Sequence, residues 1–235
     1  MILAAGEGRR MLPLTQKTPK PLLKVGGQTL IERHLTRLRR AGFKEVVVNV
    51  SHLGALIERF LGDGKKWDLN ITISREEEPL ETGGGIVNAL PLLGSEPFLV
   101  ISSDIYTDFD LTALSKLKVS DNGAHLVLVP NPQHHPTGDF VLRGRQIRAA
   151  EDLGSPQAKG LEGGTTSTFS GIGVYSRAFF DQCKVGKFPL RSLMLRAIRA
   201  RSLTGELFDG YWTDVGTPDR LKILNEYLDT QLAER

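Results

Sequence analysis

The sequence predicts an α/β fold, a mainly parallel sheet sandwiched by helices, in a single domain spanning 1–235. Three observations predict it. Short apolar runs rich in β-branched residues alternate with segments of helical period, the pattern of βαβ units. A length of 235 residues suits one α/β core. After Pro130 the runs shorten and polar, glycine-rich loops separate them, which marks a small β insertion.

Taken in order, strands are expected at 1–4, 45–50, 69–74, 98–102 and 124–130. The apolar stretch begins at Met1 itself, so a residue or two of the native first strand is expected to be missing. Between the first two strands, Thr29 and Glu32 have the spacing of a capping box, Ile31, Leu35 and Leu38 form an apolar stripe, and Gly42 can close the helix. A helix of about 13 residues follows from that pattern. A further helical stretch is expected from Ile86 to Leu93. Shorter strands are predicted over 138–142, 146–149 and 167–175, then helices over 190–200 and 218–232. The last helix has Thr217 as N-cap, Pro218 at its first position, and Leu221, Leu224, Leu228 and Leu232 on one face. Residues 153–166 hold Gly154, Gly160, Gly163 and Gly164 without an apolar period and read as a loop.

Composition narrows the function classes. The net charge of +3 comes from 30 Lys+Arg against 27 Asp+Glu spread along the chain. That suits phosphorylated small molecules and lacks the basic stripe with interleaved aromatics that nucleic acid would require. The single cysteine, Cys183, excludes an internal disulfide and a Cys-rich zinc site, and it reads as a small hydrophobe. No uninterrupted apolar run reaches about 18 residues, and no charged segment precedes an apolar one at the start. A soluble, cytoplasmic protein with no membrane partner is expected.

The strongest local signal is Leu3-Ala4-Ala5-Gly6-Glu7-Gly8-Arg9-Arg10-Met11, trailed by Pro13-Leu14-Thr15 and Pro19-Lys20-Pro21-Leu22. A strand running into a glycine turn lets backbone N–H groups approach an anion closely. The motif lacks the third glycine of the dinucleotide fingerprint and the Gly-Lys-Ser/Thr ending of a P-loop. Arg10 follows the glycines closely, and Lys20 stands between two prolines that stiffen its loop. Fixed cations of this kind are the main catalytic resource of phosphoryl chemistry. Asp104 follows closely on the apolar run 98–101, at the carboxyl edge of a strand, where open α/β sheets place ligands. Asp214 lies in Tyr211-Trp212-Thr213-Asp214-Val215-Gly216-Thr217, ahead of the last helix. Hard carboxylate oxygens suit Mg²⁺ bridging phosphates, although a turn residue or a helix cap would look the same in the sequence.

Together the glycine turn and the Pro-Lys-Pro-Leu element resemble the signature of the sugar-1-phosphate nucleotidyltransferases. The resemblance implies a Rossmann-like, GT-A-type fold, an NTP held at Leu3, Ala4, Ala5, Gly6 and Gly8, catalytic roles for Arg10 and Lys20, and Mg²⁺ at Asp104 and Asp214. It implies nucleobase recognition by Glu81, Thr82 and Gly83, in Glu81-Thr82-Gly83-Gly84-Gly85. Matches continue through 89–94, 131–135, 138–140, 168–172 and 212–217 and point, within the family, to UTP and N-acetylmuramate 1-phosphate as substrates. About 1–130 would then be the nucleotide-binding half and about 131–235 the sugar-binding half. Asn131, Gly138, Asp139, Glu151, Ser170 and Gly171 are the expected sugar contacts.

Two departures from the family pattern stand out. Ser102-Ser103-Asp104 has serine where a glycine is common, which puts the turn geometry in question. Near 151–154 there is no lysine for the sugar phosphate, which leaves Arg143, Lys159, or Lys20 with the metal to neutralise it. No hexapeptide repeat follows, so a monomer or weak homodimer is expected. A mannose- or glucose-1-phosphate enzyme and a catalytically silent sugar-nucleotide-binding regulator remain as alternatives.

Overall fold

The computed structural model describes residues 1–150 and 165–233. In chain order its elements are β1 (Ile2–Leu3), β2 (Lys24–Val25), β3 (Gln28–Thr29), α1 (Leu30–Arg40), β4 (Glu45–Val50), α2 (Gly54–Leu61), β5 (Asn70–Arg75) and α3 (Glu81–Ala89). They continue with β6 (Phe98–Ser102), β7 (Ile105–Thr107), β8 (Ala124–Val129), β9 (Phe140–Arg143), β10 (Gln146–Ala149), β11 (Thr166–Tyr175), α4 (Arg191–Arg199), β12 (Leu203–Leu207), β13 (Trp212–Asp214) and α5 (Pro218–Ala233).

Among the described residues, nine strands form one sheet in the order β5-β4-β1-β6-β11-β8-β12-β10-β9. Parallel pairing holds on the N-terminal side, where β5, β4, β1 and β6 are joined by helical crossovers. The expectation of a mainly parallel sheet is corrected beyond β6. There β11 runs antiparallel to β6, β8 and β9, and β10 is antiparallel to β9 and β12. The reason is local connectivity: β9 and β10 are joined by the tight turn Gly144-Arg145, and a hairpin can only yield antiparallel neighbours. The pairs Thr166–Val141 and Ser167–Phe140 bring β11 back onto β9, closing β11, β8, β12, β10 and β9 into a small barrel-like ring.

Alternation along the strands supplies two cores, one on each face. Val46, Val48, Val50, Leu99 and Ile101 pack with Ile31, Leu35 and Leu38 of α1 and with Ile57 and Leu61 of α2. Val47, Phe98 and Val100 point the other way, toward Ile86 and Val87 of α3 and Leu193, Met194 and Ile198 of α4. Each such side chain contributes roughly 1.5–3 kcal/mol on leaving water. The sandwich of helices around the sheet thus follows from a period of two in the strands matched to one of 3.6 in the helices. Cys183 packs at the edge of the second core as a free thiol. A third cluster holds α5 against the N-terminal loops through Met11, Leu23, Val25, Val215, Leu224 and Leu228.

Thr29 caps α1 by accepting from the Glu32 N–H at 3.2 Å. The helix expected from Ile86 starts five residues earlier, at Glu81, and takes the three glycines into its first turns. Their bareness serves packing: a Cβ on Gly83 would lie 2.4 Å from Phe188 and one on Gly84 1.9 Å from the Gly186 carbonyl. None of the helices among the described residues is long and apolar enough to cross a membrane.

Candidate active site

Two cavities open along the carboxyl edge of the parallel strands and share the lining residues Leu3, Arg10, Thr82, Ser102 and Asp104. The first, of about 480 Å³, takes in Leu3, Ala4, Ala5, Gly6, Gly8, Arg10, Lys20, Glu81, Thr82 and Asp104. Gly83, expected beside them, is not in that lining; its N–H is already donated to the Phe188 carbonyl at 3.0 Å. The second cavity, of about 520 Å³, contains Asp139, Ser170, Gly171 and Asp214.

The glycine turn does two separate jobs. Around Gly6 an added Cβ would meet nothing within 4 Å, so the backbone there borders open space. Gly8 is in the left-handed region at φ 66°, and its carbonyl accepts from Met11 N–H at 2.8 Å and from Thr15 Oγ1 at 2.9 Å. Arg10 beyond it is exposed and has no hydrogen-bond or ionic partner among the described residues. Lys20 is buried, with its Nζ 2.5 Å from Asp104 Oδ2.

Asp104 and Asp214, 110 positions apart in the chain, meet through the short ladder of β7 and β13. Asp214 pairs in register with Ile105, and the Val215 N–H donates to the Asp104 carbonyl at 2.7 Å. Ser103 needs no glycine, because it lies outside the left-handed region and donates its N–H to the Leu3 carbonyl at 3.0 Å. Asp214 Oδ1 is held by Arg220 Nη1 at 2.7 Å and His134 Nε2 at 2.9 Å. Among the described residues no group of three or more His, Cys, Asp or Glu could hold a metal ion alone. Asp104 and Asp214, which both line the second cavity, are nevertheless carboxylates of the kind that hold a divalent cation such as Mg²⁺, which ordinarily takes one or two protein carboxylates and fills its shell with phosphate and water.

A buried polar relay underlies the first cavity. Ala4 N–H donates to Asn49 Oδ1 at 2.8 Å, Asn49 Nδ2 donates to Glu76 Oε1 at 2.7 Å, and Leu80 N–H donates to Glu76 Oε2 at 2.9 Å. This relay ties the glycine turn to the start of α3, where Glu81 adopts φ 60°. Sequence reasoning missed Asn49 and Glu76; the available signal was an Asn within the apolar strand 45–50. Behind the Asp104 turn lies His34, whose pKa burial and the neighbouring Arg37 lower to about 4.

The expected sugar contacts divide. Asn131 is absent from the cavity lining: its Nδ2 donates to Thr166 Oγ1 (2.8 Å) and the Pro136 carbonyl (3.1 Å), and its Oδ1 accepts from Thr168 Oγ1 (2.9 Å). Gly138 backs onto it, since a Cβ there would sit 2.5 Å from Asn131 Oδ1. Both therefore shape the loop. Asp139 lines the cavity while accepting from Phe169 N–H at 2.8 Å and facing His135 Nε2 at 3.2 Å. The Ser170 hydroxyl turns inward, donating to the Val127 carbonyl at 2.7 Å, whereas the Ser170 carbonyl accepts from Trp212 Nε1 at 2.9 Å. Gly171, at φ 84°, lets the β11 bulge pass Ser102. Glu151 and Lys159 lie outside the described residues. Arg143 is exposed and away from both cavities, whereas Arg191, missed in the sequence, lines the second one over the Phe140 ring.

The family model described as nucleotidyl transferase matches residues 1–140. The chain belongs to that family. It is 46% identical over 228 residues to the N-acetylmuramate alpha-1-phosphate uridylyltransferase of Neisseria meningitidis serogroup B, with 94% of each chain covered. It is 29% identical over 226 residues to a mannose-1-phosphate guanylyltransferase of Mycobacterium tuberculosis, covering 93% of this chain and 61% of that one. A solved structure from Bacillus anthracis, assigned as a glucose-1-phosphate thymidylyltransferase, superposes with a TM-score of 0.80 at 21% identity, covering 97% of this chain and 93% of that one. At that identity the likeness establishes the nucleotidyltransferase fold.

Proposed function

We propose that the protein transfers a uridylyl group from UTP to N-acetylmuramate 1-phosphate, giving UDP-N-acetylmuramic acid and pyrophosphate in the cytoplasm. The observation that carries this reading is the 46% identity, spread over 94% of both chains, to the Neisseria uridylyltransferase. The geometry suits the chemistry. A phosphate oxygen of the sugar phosphate attacks the α-phosphorus of UTP in line, the new P–O bond forms, and the bond to the β-phosphate oxygen breaks. Negative charge gathers on the departing pyrophosphate, where Arg10 and Lys20 offset it.

UTP lies in the first cavity with its phosphates over Ala5, Gly6 and Gly8, and Glu81 and Thr82 border the uracil. The sugar occupies the second cavity, where Asp139 and Gly171 approach its ring and Arg191, His134 and His135 face its lactyl carboxylate. Asp104 and Asp214 would hold Mg²⁺, which when bound supplies positive charge to the triphosphate oxygens. With Asp104 among the groups that would hold the cation, Lys20, whose Nζ lies 2.5 Å from Asp104 Oδ2, would face the phosphates.

Incubation with UTP, Mg²⁺ and N-acetylmuramate 1-phosphate should yield a product with the mass of UDP-N-acetylmuramic acid. Pyrophosphate released only with another NTP, or only with mannose or glucose 1-phosphate, would overturn the substrate assignment. Binding of the UDP-sugar with no pyrophosphate from any pair would favour a silent regulator.

A further inference from the structure

We infer that Arg220 is a positioning residue of the metal site, holding one oxygen of Asp214 so that the other is presented to the cation. The inference rests on the metal role proposed above for Asp214. Arg220 stands in the first turn of α5, where the helix macrodipole disfavours a cation. Its guanidinium is largely buried, 14% exposed, and donates from Nη1 to Asp214 Oδ1 at 2.7 Å. The Nε–H is buried and has no hydrogen-bond partner among the described residues. A buried arginine with an unsatisfied donor at the unfavourable end of a helix costs stability, and what offsets that cost here is its bond to Asp214.

The backbone is built around the same contact. A Cβ on Gly216 would lie 2.0 Å from Arg220 Nη2 and 2.7 Å from Asp214 Oδ2, so only glycine leaves room for the two side chains to meet. The Arg220 N–H bonds to Thr217 Oγ1 at 3.3 Å, which fixes the helix start carrying the guanidinium. Asp214 Oδ1 is thereby occupied by Arg220 and His134, while Oδ2 accepts no hydrogen bond from the described residues. Outer partners of this kind orient ligating carboxylates, and their loss ordinarily weakens metal affinity about 10–100-fold.

The test uses the full chain with Mn²⁺ as the probe, free Mn²⁺ being counted by electron paramagnetic resonance in the presence of UTP without sugar phosphate. Arg220→Met should weaken Mn²⁺ binding by about 10-fold or more. Arg220→Lys should recover part of the loss. The KM for Mg²⁺ should rise by a similar factor, with kcat at saturating Mg²⁺ changing far less. Unchanged or tighter Mn²⁺ binding in folded Arg220→Met overturns the inference. Asp214→Asn separates the two layers: if it leaves Mn²⁺ affinity intact, the metal role of Asp214 itself fails. If it abolishes binding while Arg220→Met does not, only the role of Arg220 fails. Should Arg220→Met not fold, Gly216→Ala displaces the guanidinium by its added methyl group. The same weakening is then expected, and wild-type Mn²⁺ affinity overturns the inference.

Discussion

The two banks of the cleft use polar residues in opposite ways. On the phosphate bank, Gly6 borders open space and Arg10 has no partner among the described residues. Its polar groups are held ready for something outside the chain. On the sugar bank, Asn131, Asp139 and Ser170 are spent on the protein itself, pinning the 131–139 loop and the β11 bulge. On the first bank Arg10 is left exposed, whereas on the second Asn131 stands outside the cavity lining and Asp139 and Ser170 line the cavity while already bonded to the protein. The comparison teaches that a polar residue near a site is informative only after its own hydrogen bonds have been traced.

Three measurements would break or sharpen that contrast. Arg10→Ala and Lys20→Ala should each lower kcat by at least about 10²-fold, the scale of one lost electrostatic stabiliser. Near-normal turnover in both variants would erase the distinction between the banks. Beneath the phosphate bank, His34 gives a pH signature. Its folded pKa of about 4 lies below the ordinary histidine value of 6.5, so its neutral form is favoured in the fold and the folded state binds fewer protons between those values. Stability should therefore fall as pH drops from 6.5 toward 4, by up to about 3 kcal/mol at the bottom of the window. Denaturant titrations of wild type and His34→Gln across that range should diverge at neutral pH and converge at the acid end; parallel curves would refute it.

The smallest effect belongs to the sugar bank. Asn131→Ala removes three hydrogen bonds and should cost about 1–3 kcal/mol of stability, with kcat falling far less than in the Arg10 and Lys20 variants. A collapse of kcat at unchanged Tm would move Asn131 back among the substrate contacts.

Much of the N-terminal half was legible because its signals are strong and local. The run Glu45–Val50 has the β-branched character of a buried strand, and Thr29 with Glu32 announces a helix start. The ring was not, because β12 contains Thr204, Gly205 and Glu206 and reads weakly as a strand. Gly205 is there because a Cβ would come within 2.8 Å of the Leu126 carbonyl, a tertiary reason invisible in one dimension. The glycines of α3 misled for the same cause: the helix was expected only from Ile86, but it starts at Glu81 because the segment packed against Gly83 and Gly84 decides their size. At the site, cations and carboxylates announced themselves by motif. Asn49, Glu76 and Arg220 did not, since each acts through another group.

The ladder between β7 and β13 carries one more consequence. Only three residue pairs set the separation of Asp104 and Asp214, and they do so through main-chain hydrogen bonds. Side-chain turnover in the cores can therefore proceed without altering how far apart the carboxylates sit. Changes of chain length are another matter, because a slip of one residue would turn Asp214 to the far face of its strand. A single-residue insertion or deletion near 208–211 should therefore disable the site, whatever residue types surround it.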